Sequence, residues 1–130
     1  MSAQHSLASH KLMAFVGTQD PVKAKKFYSG VLGLPLTYTY EDNFALAYEV
    51  QGVLLRVTKV EKVAVAPYTV LGWQVEDIAT TGKALLQAGV RFERYPRLEQ
   101  NELGIWNAPG GAKVAWFKDP DGNTLSIAQL

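Results

Sequence analysis

The same order of signals runs through this chain twice, and any fold has to accommodate both copies. The first opens with the apolar run KLMAFVG (Lys11 to Gly17), which reads as a buried strand. DPVKAKKFYSGVLG (Asp20 to Gly33) then carries the marks of a helix. Asp20 can accept hydrogen bonds from orphan amides as N-cap, Pro21 suits the first helical position, and Gly30 or Gly33 can serve as an exit. Ala24, Phe27, Tyr28 and Val31 recur at helical spacing, while Lys23, Lys25 and Lys26 are mostly left for water. LPLTYTY, FALAYEV and VLLRVTKV follow as three strands separated by the short turns EDN and QG, which makes an antiparallel meander the economical reading.

The second copy repeats the order, with YTVLGWQV as a strand and DIATTGKALLQAG as a helix capped by Asp77 and closed by Gly89. VRFERY, a strand within ELGIW, AKVAWFK and NTLSIAQL complete it. The two capping aspartates stand 57 residues apart and the turn glycines Gly52 and Gly122 stand 70 apart, with GVLLRV aligned on GNTLSI. The difference locates an insertion of about 13 residues in RYPRLEQNELGIWNAPGGA, a long polar loop with a strand inside it. Long loops in compact domains often carry function. The expectation is an α+β fold: two tandem βαβββ modules, about residues 11–62 and 66–130, forming an incomplete mixed β-barrel with helices on the outside. Residues 1–10, small and polar, read as a flexible arm before this single domain.

Composition excludes several function classes. At 130 residues the chain fits one compact domain, and its 48% apolar and 19% charged content places it among globular proteins with a packed core. Thirteen basic and twelve acidic residues leave a net charge of +1, so no global field draws it to nucleic acid or an anionic membrane. Without cysteine there is no disulfide framework, thiolate nucleophile or sulfur-ligated zinc. No run approaches a membrane span, MSAQHSLASH lacks the apolar segment of a secretory signal, and the cytoplasm is the expected compartment. Both histidines, His5 and His10, lie in the arm, so any histidine chemistry would have to start there.

The βαβββ repeat, with DPVKAKKFYSGVLGL in the first module and FKDPDGN in the second, resembles the vicinal oxygen chelate superfamily. That superfamily includes glyoxalase I, extradiol dioxygenases, fosfomycin-resistance enzymes and bleomycin-resistance proteins. The resemblance covers Lys11 to Leu130. By itself DPDGN reads as a β-turn favoured by Asp, Pro and Gly. The resemblance implies four ligands, usually His, Glu or Gln, from the first and last strand of each module. They hold an ion that acts as a Lewis acid on a substrate oxygen. Carried onto this sequence, the positions fall at Met13, Arg56, Val70 and Ser126. Methionine is soft and neutral, valine binds no metal, arginine repels a divalent cation and serine is a poor substitute for a carboxylate. A slip of one residue rescues none of them, since neighbours such as Leu12, Ala14, Leu55, Leu71, Leu125 and Ile127 are apolar. No metal and no cofactor are therefore expected, and the chain does not read as a metal-dependent glyoxalase or dioxygenase.

A lined cavity remains. If those four positions face it, strand alternation adds Phe15, Leu54, Thr58, Gly72, Gln74, Thr124 and Ala128, and puts Ala14, Val16, Leu71, Trp73, Val75, Leu125 and Ile127 under the helices, with Trp73 read as core. Arg56 between apolar neighbours needs an anion. An internal glutamate, Glu49 or Glu102, can supply it, or the guanidinium can fork onto a ligand carboxylate or phosphate, and a ligand can displace the glutamate. Tyr38, Tyr40, Trp106 and Trp116 add aromatic surface suited to a planar molecule. The candidate ligand-binding set is Met13, Phe15, Arg56, Thr58, Val70, Gln74, Trp106, Trp116 and Ser126, with no catalytic residue singled out. A metal-independent binder of an aromatic or acidic small molecule, of sequestration or resistance type, is the first reading. A lyase, isomerase or dioxygenase-like enzyme using Glu49, Glu102 or Tyr48 as acid or base, and a non-catalytic regulatory dimer module, are the alternatives. Family dimers often complete their barrels across the interface, so a homodimer is expected, swapped or unswapped.

Overall fold

The computed structural model of the chain describes residues 6–39 and 44–130. His5, Tyr40 and the expected EDN turn lie outside the described residues. Within the predicted arm, Leu7–Ser9 forms a short 3-10 turn capped by the Ser6 hydroxyl, and His10 is exposed.

Asp20 caps the first helix as its chemistry requires. Its Oδ1 accepts from the Val22 and Lys23 amides at 3.1 and 3.2 Å, which satisfies two of the orphan donors at the helix start. The helix α1 (Pro21–Lys25) continues as a π-helical stretch, Lys26–Val31, in which Leu32 N–H donates to Phe27 O. The chain leaves through Gly33 at φ +73°, a conformation that suits glycine, rather than through Gly30. Helix α2 (Ile78–Gln87) starts the same way, with the Asp77 carboxylate accepting from Thr80 N–H at 3.2 Å. The two caps share one backbone geometry, φ −137°, ψ 93° at Asp20 and φ −135°, ψ 97° at Asp77.

The first sheet holds β1 (Met13–Thr18), β2 (Leu36–Thr39), β3 (Ala45–Val50) and β4 (Val53–Lys59) in the order β1-β4-β3-β2. The second holds β5 (Leu71–Gln74), β6 (Trp106–Asn107), β7 (Lys113–Lys118) and β8 (Thr124–Gln129) in the order β5-β8-β7-β6. Both sheets are mixed and open: the first and last strands of each run parallel and the remaining pairs antiparallel. The repeat extends to register. Ala14 pairs with Leu55 and Phe15 with Arg56, while Leu71 pairs with Leu125 and Gly72 with Ser126, so the spacings of 57 and 70 residues map one parallel ladder onto the other.

One expected strand does not form. VRFERY contributes only an isolated bridge from Phe92 to Phe117, and the edge of the second sheet passes to Trp106–Asn107. The cause is a side chain. Gln100 Oε1 accepts from Tyr95 N–H at 2.8 Å, and its Nε2 donates to Glu93 O and Gly104 O at 2.8 and 2.9 Å. Backbone groups that a ladder would pair are satisfied by an amide instead. Arg94 adds donors to the carbonyls of Asn101 and Glu102 at 2.5 and 2.8 Å, so the inserted stretch folds on itself.

The helix-side faces of both sheets share one core, in which Val16, Leu46, Leu55 and Val57 from the first meet Ala115, Phe117, Leu125 and Ile127 from the second around Ala24, Tyr28 and Ile78. The DPDGN turn, expected only to reverse the chain, joins the modules as well. Asp119 Oδ1 accepts from the Asp121 and Asn123 amides at 2.9 Å, and its Oδ2 accepts from Tyr28 O–H at 2.7 Å and Asn123 Nδ2 at 2.9 Å. Asn123 also donates to Gly17 O at 3.0 Å, and Asp121 accepts from Thr18 O–H at 2.5 Å and Gln19 N–H at 2.9 Å. Tyr28 and Asp119 are buried, so each needs the other.

Candidate ligand-binding face

The faces turned away from the helices hold the predicted positions. In the first sheet register alone aligns Phe15, Arg56, Ala47 and Tyr38 in one row across four strands, because paired residues point the same way. Thr58 sits one step along, paired with Gly17 and Ala45, and Leu54 one step back, paired with Met13 and Glu49. Phe15 is 61% exposed and Met13 43%, an unusual exposure for such residues on strands. Arg56 is half-buried beside the buried Ala47, whose small side chain leaves the guanidinium stem room. Glu49 stands exposed on the same face of β3, two residues along from Ala47. Glu102 belongs to the inserted loop, where its carbonyl receives Arg94.

The second sheet places Gly72, Ser126 and Trp116 in the corresponding row. Where the first module has a phenylalanine and an arginine, the second has a glycine and a serine, so the repeat breaks from bulk to hollow. A Cβ at position 72 would lie 3.0 Å from Ser126 Oγ, which shows how closely the buried serine fills the glycine's place. Val70 N–H donates to Thr124 O just before β5, leaving Val70 40% exposed. Gln74, paired with Ala128 at the end of β5, is exposed. Lys118 reaches the hydroxyl of Thr124 at 2.9 Å and brings a second cation to this side.

The tryptophans converge. Trp106 and Trp116 lie with ring centroids 5.9 Å apart and planes inclined by 34°, and Tyr95 meets Trp116 edge-on at 5.4 Å. All three are half-buried, and edge-to-face geometry aligns a ring edge with the π cloud it meets. Tyr95 escaped the sequence reading because its stretch was read as a strand; the available signal was an aromatic beside Arg94 within the insertion. Burial, and then the charge of Glu93, raise the Tyr95 phenol above its ordinary range, so it stays protonated near neutrality. The structure thus brings Phe15 and Arg56 together in one sheet and Ser126, Trp116 and Trp106 in the other. Trp73, expected in the core, stacks on Phe117 at 6.5 Å on the helix side and remains half-buried.

The donor set does not suit a divalent ion. Met13 and Arg56 lie diagonally across one parallel ladder and Val70 and Ser126 across its counterpart, a thioether and a fixed cation opposite an aliphatic side chain and a hydroxyl. Among the described residues no group of three or more His, Asp or Glu side chains gathers anywhere to hold a metal.

Two open βαβββ modules, tied together at an Asp-Pro-Asp-Gly-Asn turn, define a fold of glyoxalase type. The chain belongs to the Glyoxalase/Bleomycin resistance protein/Dioxygenase superfamily, whose profile matches residues 9–127. Its fold is similar to that of a glyoxalase/bleomycin resistance protein from Catenulispora acidiphila, with TM-score 0.71, 19% identity and 94% and 99% of the two chains covered. A lactoylglutathione lyase from Agrobacterium tumefaciens matches with TM-score 0.71, 13% identity and 93% coverage of each chain. A glyoxalase/bleomycin resistance protein/dioxygenase from Nocardioides gives 0.69 and 17%, covering 98% of this chain and 87% of its own. A search among curated proteins found no match to the chain. No helix among the described residues is long and apolar enough to cross a membrane.

Proposed function

We propose that this protein binds a small organic molecule without a metal, taking an aromatic or acidic ligand on the face between its two modules, and that it works as a cytoplasmic homodimer. The observation that carries the reading is the loss of ligand character at all four matched positions, Met13, Arg56, Val70 and Ser126, within a scaffold whose register is otherwise kept. A fixed cation at one of them is suited to an anionic oxygen of the ligand itself, and the guanidinium presents the fork that a carboxylate or phosphate accepts. Lys118 adds positive charge on the side of the second sheet, and Trp106, Trp116 and Tyr95 give a flat molecule rings to pack on. Met13, Phe15 and Val70 supply apolar contact, Thr58 and Ser126 hydroxyls, and Gln74 an amide.

Titration with coumarin-3-carboxylate, a planar acid, tests this directly. Saturable binding is expected, with Arg56→Ala weakening it about tenfold or more, equivalent to about 1.4 kcal/mol. Equal affinity of wild type and Arg56→Ala overturns the clamp. Elemental analysis of tag-free protein exposed to nickel, zinc, manganese and iron(II) should find far less than one ion per chain. A stoichiometric ion would overturn metal independence.

A further inference from the structure

A second hollow opens on the helix side of the molecule, meeting the face just described at Gly72 and Gln74 of β5. One lobe, about 230 Å³, lies where the segment after α1 approaches α2; Leu32, Leu34 and Val50 come from the first module, Trp73, Leu85 and Phe117 from the second. An adjoining lobe of about 300 Å³ opens between the β3–β4 turn, the first part of β4, Ala14 of β1 and the length of β5. Trp73, Val50 and Gln74 border both.

From this geometry we infer a second binding site, for a neutral, flat, mainly apolar molecule packed against Trp73. Three observations fix the class. No charged side chain lines either lobe among the described residues, so an ionised ligand would lose its hydration without compensation. Trp73 already stacks on Phe117, with planes 19° apart, and presents a ring for a further flat molecule to pack on. The polar side chains at the borders are neutral, the Gln51 and Gln74 amides and the Thr81 hydroxyl, able to meet one carbonyl or hydroxyl on the ligand. Both modules form the walls, so occupancy adds apolar contact across their junction and stabilises the folded chain by mass action.

Uncharged coumarin, a planar bicycle with one carbonyl, is the probe. The Nε1–H signals of Trp73, Trp106 and Trp116 are resolved by nitrogen–proton NMR and assigned with single Trp→Phe variants. Coumarin is expected to shift the Trp73 signal saturably, and Leu85→Phe or Val50→Phe, each filling a wall, to weaken the effect at least tenfold while the other two signals stay in place. The site is overturned if coumarin leaves Trp73 unmoved, if its shift fails to saturate, or if both folded filling variants bind as wild type does. Movement of Trp106 and Trp116 alone would assign the molecule to the other face and also overturns it. Coumarin-3-carboxylate tests Arg56 in a separate titration, so either site can fail without the other.

Discussion

Tyr28 shows how one residue couples the modules, and its titration has a definite sign. Burial, and then the charge and hydrogen bond of Asp119, push the phenol well above its ordinary value of 10.0, so the folded protein holds the proton more tightly than the unfolded chain. The corresponding stability is fully present below pH 10 and is lost as pH rises above it, by up to about 1.4 kcal/mol per pH unit from this group. Urea melts between pH 8 and 11.5 should show that decline. Tyr28→Phe should cost about 1–3 kcal/mol at pH 8, because Asp119 loses a buried donor, and should flatten the alkaline slope to the part contributed by Tyr48 and Tyr95, which burial also raises. An unchanged slope would show that Tyr28 does not carry it. Helical spacing marked Tyr28 as an inward residue. Nothing local marked Asp119 as its partner 91 residues away, since DPDGN is equally well explained as a turn.

At the level of elements, what the sequence made legible is what local chemistry decides. Aspartate caps, glycine exits and apolar strand runs were all readable, and the spacings of 57 and 70 residues, read as the offset of a repeat, relate one parallel ladder to the other. The insertion was legible as an insertion but not in its form. VRFERY has the composition of a strand, yet Gln100 takes the backbone of residues 93 and 95, and alternation of side chains carries no information about such competition. The same glutamine holds the Tyr95 amide and bridges the backbone of Trp106, so two aromatic residues of the candidate face lean on it. Gln100→Ala removes three hydrogen bonds to main-chain groups and should destabilise the protein by about 2–3 kcal/mol, limited by water reaching the freed groups. Hydrogen exchange at the Tyr95 amide should accelerate by more than the global loss explains. Equal protection in variant and wild type would show that the loop is held by Arg94 and Asn101 instead.

Across the whole molecule the two modules keep one architecture and divide its chemistry. Pseudo-symmetry places Phe15 against Gly72 and Arg56 against Ser126, so a face built by repetition acquires a bulky, cationic half and a hollow, aromatic one. Symmetric residues at those places would favour a central ion. Asymmetric ones are what the proposed binding of an acidic, flat organic molecule would require, with Arg56 in one half and the tryptophans in the other. If the scaffold is otherwise intact, metal binding should be recoverable by side chains alone. Combining Met13→His, Val70→His, Arg56→Glu and Ser126→Glu supplies two imidazoles and two carboxylates at the matched strand positions. Binding of nickel or zinc should then appear at about one ion per chain, with a rise in melting temperature that chelation reverses, because a metal held only by the folded state stabilises it. The same variant should lose affinity for coumarin-3-carboxylate, since the guanidinium has been replaced by a like charge. A folded quadruple variant that takes up no metal would show that the four positions do not converge, and that the ligand is held by one module rather than between two.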